Sequence, residues 1–530
     1  MSSTSNTFDA IVVGAGFAGL YMLYRLRELG LKVRVYEAGS GVGGTWFWNR
    51  YPGARCDVDS MEYSYQFSEE LQQEWRWSER FAPQPEILEY LNHVADRFDL
   101  WPDIELNCRV NRAIFDASLN RWHIDSDSGE ASAQFCVMAT GCLSSANLPT
   151  IEGRDSFAGN SYHTGHWPHE GVDFSGQRVG IIGTGSSAVQ SIPLIAEQAK
   201  QLTVFQRTAT YSVPARNRAM EDAEIDAVKE NYAEFRAANW KEPFGVSFRA
   251  GETSALEHDE QQRHDAFEAR WRDGGLRFLG AFSDILIDER ANDTAAEFVR
   301  EKIRNIVQDP QTAAALMPRQ LIGCKRLCLD TNYHDTFNRP NVELIDLQST
   351  AIEKITSAGV QTSAQEYPLD SLIFATGFDA MTGALDKIDI RGREGLPLKD
   401  KWHAGPLSYL GLSVSGFPNL FTVSGPGSPS VLSNMVPTIE QHVEWIAECI
   451  EYVRHSGHQT IEAKAEDEEK WVKHVNEVAD TTLYPGCNSW YLGANVPGKP
   501  RVFMPYIGVP PYVEKCRQVV RDGYAGFQLQ

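Results

Sequence analysis

One arrangement of residues occurs twice in this chain, and it constrains the fold more than anything else in it. Asp9-Ala-Ile-Val-Val13 is a short apolar run of the kind buried in a parallel sheet, and Gly14-Ala-Gly16-Phe-Ala-Gly19 follows it without a gap. A helical stretch from Leu20 to Leu29, then Gly30, then a second apolar run from Leu31 to Tyr36 complete the unit. Later, Arg178-Val-Gly-Ile-Ile182 leads into Gly183-Thr-Gly185-Ser-Ser-Ala188, a helix over 189–199 and the strand Leu202-Thr-Val-Phe205. Strand, glycine turn, helix and strand in that order form a βαβ unit. Its glycines permit a tight turn, close approach of a pyrophosphate and close helix–strand packing. Two such units predict two Rossmann-like domains that each bind a dinucleotide.

The residues that end the second strands separate the two sites. Glu37 falls 23 residues after Gly14, and a carboxylate there accepts hydrogen bonds from a ribose diol and repels a 2′-phosphate. Arg207 falls 24 residues after Gly183, where a guanidinium accommodates that phosphate and Thr208 adds a hydroxyl. The first site therefore reads as FAD or NAD, the second as NADPH. Cys136-Val-Met-Ala-Thr-Gly141 and Leu372-Ile-Phe-Ala-Thr-Gly377 each pair a buried strand with an Ala-Thr-Gly turn. They resemble the crossovers of two-dinucleotide flavoproteins, which favours FAD at the first site.

Composition narrows the partners. A formal charge of -22 argues against nucleic acid and anionic membrane, both of which require clustered cations. The start, MSSTSNTFDAIVVGAG, has no basic segment before its apolar strand, so no signal peptide is expected. No apolar run of spanning length occurs. The nine cysteines are scattered without a CxxC, which predicts reduced thiols in a cytoplasmic protein.

Three further segments carry chemistry. Phe157-Ala-Gly159-Asn-Ser-Tyr-His163-Thr-Gly-His166-Trp167-Pro168 lies between the two units as a linker. Gly43-Gly44-Thr-Trp46 is followed by Tyr51-Pro-Gly53-Ala-Arg55-Cys-Asp57, and Gly323-Cys-Lys325-Arg326 comes much later. Together these resemble the fingerprints of Baeyer–Villiger monooxygenases, flavoenzymes that insert one atom of O2 beside a ketone carbonyl. The resemblance runs from Phe8 to Phe527. It implies a C4a-peroxyflavin kept deprotonated, a task suited to a fixed guanidinium. By that resemblance Arg326 is catalytic and Asp57 orients it beside the flavin, while Lys325 joins Arg207 and Thr208 on the 2′-phosphate. The implied cofactor contacts are Gly14, Gly16, Gly19, Glu37, Gly44, Trp46, Arg55, Asp57 and Tyr63 for FAD. For NADPH they are Thr184, Gly185, Ser186, Ser187, Gln190, Arg207, Thr208, Lys325, Arg326 and Trp490. Phe157, Gly159, His163, Trp167 and Pro168 form the fingerprint, in which His163 has a conformational or NADP-linked role rather than that of a general base. Ser430, Val431, Leu432 and Met435, in a loop resembling that of phenylacetone and steroid monooxygenases, are expected to line the ketone pocket.

The expected fold class is α/β, with an NADP domain inserted in an FAD domain and a helical insertion within the former. The expected boundaries are 1–145 and 377–530 for the FAD domain, 146–214 and 321–376 for the NADP domain, and 215–320 for the helical insertion. The expected partners are a bulky, aryl or steroidal ketone and O2, with no metal and with the chain a monomer or weak oligomer. The alternatives are an N- or S-oxidising flavoprotein, a flavin reductase without organic substrate, and a non-enzymatic nucleotide sensor.

Overall fold

The computed structural model describes residues 6–502 and 504–530, so the first five residues of the polar start lie outside the described residues. An eight-stranded sheet forms around Thr7–Val13, which pairs in parallel with Val33–Tyr36 on one side and Gly129–Met138 on the other. The sheet draws on both ends of the chain. Gly129–Met138 pairs with Arg121–Ser126 along its first half, and Leu420–Thr422 takes over beside Cys136–Met138. Asp389–Arg391 closes the far edge against Val110–Asp116. The helix Met435–His455 covers this sheet beside the helix Phe17–Glu28, and Tyr21 donates to Glu444 at 3.0 Å between them.

The second sheet is wholly parallel, in the order Val342–Asp346, Gln201–Gln206, Arg178–Ile182, Ser371–Phe374, Asn160–His163. Asn160–His163 belongs to the segment read from sequence as a linker. It is an edge strand, in register with Ser371–Phe374, and so fixes one sheet to the crossover that leaves it. Helices Asp222–Glu230, Tyr232–Asn239, Glu260–Asp273, Glu289–Ile306 and Pro310–Leu316 fill the stretch between the pieces of this sheet. Each buries at least one apolar side chain, most clearly Glu289–Ile306, which buries Ala295, Phe298, Val299 and Ile303 on one face.

Both glycine turns are locked by the same contact. Gly14 has φ +103°, and a Cβ there would stand 2.5 Å from the Ala139 carbonyl oxygen. Gly183 has φ +112°, and its Cβ would stand 2.4 Å from that of Ala375. Ala139 and Ala375 begin the two Ala-Thr-Gly turns, so each crossover packs directly on the nucleotide turn of its own sheet. Any side chain at either glycine would be strained in backbone and would overlap a carbonyl.

The expectation of reduced thiols throughout is wrong at one pair. Cys324 and Cys487 form a disulfide across a sequence separation of 163 residues, with Cα atoms 6.1 Å apart. Proximity in the fold, invisible in sequence spacing, brings the Gly323–Arg326 turn against the loop that follows Gly486. The other seven cysteines are free and buried. Among the described residues no helix is long and apolar enough to cross a membrane.

Candidate active site

A cavity of about 480 Å3 begins at the first glycine turn and ends between the two sheets. Gly14, Gly16, Glu37, Gly44, Trp46, Arg55, Asp57, Tyr63, Ser186, Gln190, Arg326, Val431, Met435 and Trp490 all line it. These residues come from six separate segments of the sequence. The wall near Gly16 is backbone only, since a Cβ on Gly16 would approach the Gly44 Cα to 3.3 Å. Gly19 does not line the cavity; it packs under the turn, where a Cβ would meet the Gly14 carbonyl.

Glu37 is 6% exposed at one end. Its carboxylate accepts the Ala15 N–H at 2.8 Å and the Gly39 N–H at 2.7 Å, one on each oxygen. Burial pushes its pKa up, and these two amides act against that rise. Each oxygen keeps a lone pair for a hydroxyl donor, so the residue fits a ribose diol. Further along, Trp46 donates its indole N–H to the Tyr63 hydroxyl at 3.1 Å, and the two rings meet edge to face. Arg55 is held by Glu79 at 2.8 Å and by the Phe81 carbonyl at 3.0 Å. The cradle of backbone, paired hydroxyl acceptors and flat aromatic wall fits FAD.

Arg326 stands at the other end. Its Nε and Nη2 donate to the two oxygens of Asp57, both at 2.8 Å, and Nη1 donates to the Val431 carbonyl at 2.9 Å. A guanidinium has five N–H groups, so this leaves two that the backbone and Asp57 do not use. The side chains are 22% and 27% exposed, a partly dry ion pair. Burial opposes the charge on Arg326, but the Asp57 carboxylate overrides it and holds the guanidinium well above its ordinary range. The Tyr491 hydroxyl, which sequence reasoning passed over, also lies against this guanidinium, and burial pushes its own pKa up to about 12. Its neighbour Trp490 was the only signal for that loop.

The helix after the second glycine turn reaches the same cavity through Ser186 and Gln190, whereas Thr184, Gly185, Ser187, Arg207, Thr208 and Lys325 do not line it. Gly185 caps the helix Ser186–Gln198, and Ser186 reaches the cavity wall from its first turn. Thr184 donates its hydroxyl to the Thr208 carbonyl at 2.9 Å, tying the turn to the end of the next strand. The Ser187 hydroxyl bonds that of Thr164 at 3.1 Å. Gln190 joins the two sheets, accepting from the Tyr51 hydroxyl at 2.8 Å and donating to the Arg55 carbonyl at 3.1 Å. Lys325 has its pKa lowered by burial and then by Arg207, so the two cations converge. Among the described residues neither is paired with a carboxylate. Two adjacent cations without a counter-ion, beside a helix N-terminus, fit the 2′-phosphate and pyrophosphate of NADPH.

The fingerprint residues stand apart from that cavity. Trp167 is 3% exposed in the core beneath the second sheet, tilted against Tyr162 and edge-on to Phe174. Phe157 packs on the opposite face, Gly159 lies against the Asp370 carbonyl, and Pro168 closes a turn onto Gly171. His163 accepts the Gly165 N–H on Nδ1 at 2.9 Å, and burial, with His166 beside it, lowers its pKa to about 4. It is a neutral ring wedged against the second crossover. His166, given no role from sequence, lines the cavity.

A smaller cavity of about 60 Å3 adjoins the first beyond Arg326. Phe244, Val246, Phe248, Leu276 and Leu279 from the helical stretch form one wall, with Leu432 and Tyr484 opposite. Val431 and Met435 line the larger cavity instead, and Ser430 is buried behind the loop with φ +42°. The expected ketone-pocket residues are thus divided among two cavities and the core.

Comparison with known proteins agrees with this architecture. A family model described as pyridine nucleotide-disulphide oxidoreductase matches residues 11–234. A Baeyer–Villiger monooxygenase of Pseudooceanicola batsensis is 44% identical over 98% of this chain and 95% of its own length. A phenazine N-monooxygenase of Lysobacter antibioticus is 43% identical over 98% and 97% respectively. Among solved structures, an oxidised steroid monooxygenase bound to NADP is 52% identical with a TM-score of 0.94, covering 99% of both chains. With a bidentate Asp57–Arg326 pair between an FAD cradle and an NADPH turn, and full-length identity at this level, the chain belongs to the Baeyer–Villiger monooxygenases, FAD- and NADPH-dependent enzymes of ketone oxygenation.

Proposed function

We propose that the reaction converts an apolar ketone, cyclic or aryl, to its ester or lactone, and that Arg326 is the residue on which it turns. Overall, ketone, O2, NADPH and a proton give ester, NADP+ and water. Bound in the sites described, NADPH supplies the hydride and FAD the activation of O2. The observation that carries the reading is the place of Arg326, the single cation common to the walls of both cavities among the described residues. One cavity is shaped for cofactor; the other is apolar and adjoins it.

A ketone at the apolar cavity would point its carbonyl oxygen toward the N–H groups of Arg326 that neither Asp57 nor the Val431 carbonyl takes, beside the Tyr491 hydroxyl. As the carbonyl carbon is attacked, that oxygen gains negative charge, and donors already fixed in place stabilise it without reorganising. Asp57 contributes by geometry, since two parallel bonds hold the guanidinium plane where a single bond would let it rotate. Arg326 stays protonated throughout and transfers no proton. Trp46, Tyr63, Met435 and Ile439 close the wall between the cradle and Arg326 and keep water from the reacting atoms. Lys325 and Arg207 select the phosphorylated dinucleotide.

The steroid monooxygenase at 52% identity supports a bulky ketone, which the apolar cavity of about 60 Å3 admits only in part, so that its remainder extends past Arg326 into the larger cavity. The phenazine N-monooxygenase relative makes oxidation of an aromatic nitrogen the second reading. A panel of cyclic, aryl and steroidal ketones, set beside a phenazine and a thioether, tests the choice when products are identified. Ester formation with the highest kcat/KM supports the proposal, and N-oxide formation with higher kcat/KM overturns it.

A further inference from the structure

The Cys324–Cys487 disulfide has a position that the reaction above does not require. Cys324 directly precedes Lys325-Arg326, and Cys487 stands three residues before Trp490 and four before Tyr491. The bond therefore staples the segment that carries the catalytic guanidinium to the loop that places one aromatic in the cofactor cavity and one hydroxyl against that guanidinium. The two sulfurs are unequally sheltered. Cys324 is 1% exposed, whereas Cys487 is half-buried and lines a surface pocket of about 290 Å3. Asp293, Arg300 and Arg319 share that pocket. Arg300 is engaged by the Tyr211 hydroxyl and the Pro318 carbonyl and pairs with Asp293 at 3.4 Å and Glu297 at 3.3 Å. Arg319 is exposed and has no carboxylate within ion-pair distance among the described residues.

We propose that Cys487 is a thiol-exchange site for a small acidic thiol, and that opening the disulfide there loosens Arg326 and uncouples oxygenation from NADPH oxidation. The thiolate attacks the accessible Cys487 Sγ. The Sγ–Sγ bond breaks, and its electron pair leaves on Cys324 Sγ, which takes a proton from water. A second thiol then attacks the mixed disulfide, releasing the oxidised thiol dimer and the Cys487 thiolate, so that two thiols are oxidised and one protein disulfide is reduced. Arg319, the charged residue of this pocket without an ion-pair partner among the described residues, gives it a preference for a thiol bearing carboxylates. After reduction Arg326 keeps Asp57 and Val431 but loses the covalent tie to the Tyr491 loop. A shift of about 1 Å in a positioning group is worth up to about a hundredfold in rate.

The effect on oxygenation rests on the function proposed above; the exchange itself does not. The test follows both in the complete FAD-loaded protein. Differential alkylation with mass spectrometry reports the thiols, and peroxide and ester per NADPH report coupling. Glutathione should expose exactly two new thiols, at Cys324 and Cys487. It should raise peroxide per NADPH by about tenfold, with flavin reduction by NADPH unchanged. Cys487→Ser should show the same raised peroxide without glutathione and no response to it, and Arg319→Gln should slow exchange with glutathione but not with 2-mercaptoethanol. Both cysteines alkylated before any reductant is added, or equal coupling in the reduced and oxidised wild type, overturns the proposal. Should Cys487→Ser not fold, the reduced wild type alone decides. If exchange occurs but no ketone is oxygenated in either state, the thiol site stands and the functional reading fails.

Discussion

Replacing Asp57 with alanine removes two of the three hydrogen bonds that hold Arg326, leaving the one to the Val431 carbonyl. Hydrogen bonds to charged groups contribute about 1.5–3 kcal/mol each. The pair is 22% and 27% exposed, so water replaces part of what is lost and the cost to folding is about 2 kcal/mol rather than the 3–5 kcal/mol of a fully dry pair. The cost to the reaction is separate, because a guanidinium held at one point no longer presents its free N–H groups to the carbonyl oxygen. Loss of a fixed oxyanion donor costs about 10²–10³ in kcat, and Asp57→Ala should lose about 10² in ester formation. Asp57→Asn, which retains one acceptor, should lose about tenfold. The decisive assay is a double-mutant cycle. Asp57 acts only through Arg326, so the double variant with Arg326→Ala should be no slower than Arg326→Ala alone. Product formation is measured by chromatography, with anaerobic flavin reduction by NADPH as the control. If the two losses multiply in the double variant, Asp57 has a role of its own and the positioning argument is refuted.

The two glycines of the NADPH turn should separate folding from binding. Gly183→Ala places a methyl 2.4 Å from the Ala375 carbonyl at φ +112° and should cost more than about 3 kcal/mol in denaturant titration. Gly185→Ala meets no atom within 4 Å and should leave stability within about 1 kcal/mol, while raising the NADPH KM about tenfold; equal stability losses would contradict this. Lys325→Ala and Arg207→Ala should each reduce kcat/KM for NADPH about tenfold and leave that for NADH unchanged, and a parallel loss for both dinucleotides would contradict the 2′-phosphate assignment. Glu440 accepts the Gln66 and Phe67 amides on one oxygen, has the other unpartnered, and has its pKa raised by burial to about 8 from 4.5. The folded form holds a proton that the unfolded chain releases. Its contribution to stability is therefore full below about 4.5 and is lost as pH rises through about 8. Glu440→Gln should gain on the wild type between pH 5 and 9 by about 4 kcal/mol in denaturant midpoints, and parallel pH profiles would contradict the shift.

The nucleotide turns were legible because their constraints are local. A glycine with positive φ against a carbonyl, a strand that ends in Glu37 and another that ends in Arg207 leave their mark within about 24 residues. The partnership of Asp57 with Arg326, 269 residues apart, was reachable only through resemblance, since no local pattern links an Asp after a glycine turn to a Lys-Arg pair. Long-range contacts without a residue-type signature were missed altogether. Cys324 and Cys487 had no characteristic spacing, and Tyr491 looked like any aromatic in a loop. The edge strand within the linker segment left no mark in the sequence because Asn160–His163 has only four residues, with one buried side chain, too short for a period-two pattern to show. The division of the 430–435 loop among two cavities and the core depends on which way each side chain turns, and that is set by the helices packed against it.

Arg326 serves the oxygenation of the ketone and not the delivery of electrons. Anaerobic stopped-flow reduction of the flavin by NADPH, paired with ester and peroxide yields under air, tests it on Arg326→Ala. Flavin reduction should stay within about twofold of wild type, ester should fall by about 10²–10³, and NADPH consumption should be diverted to hydrogen peroxide. Ester yield close to that of the wild type would contradict it.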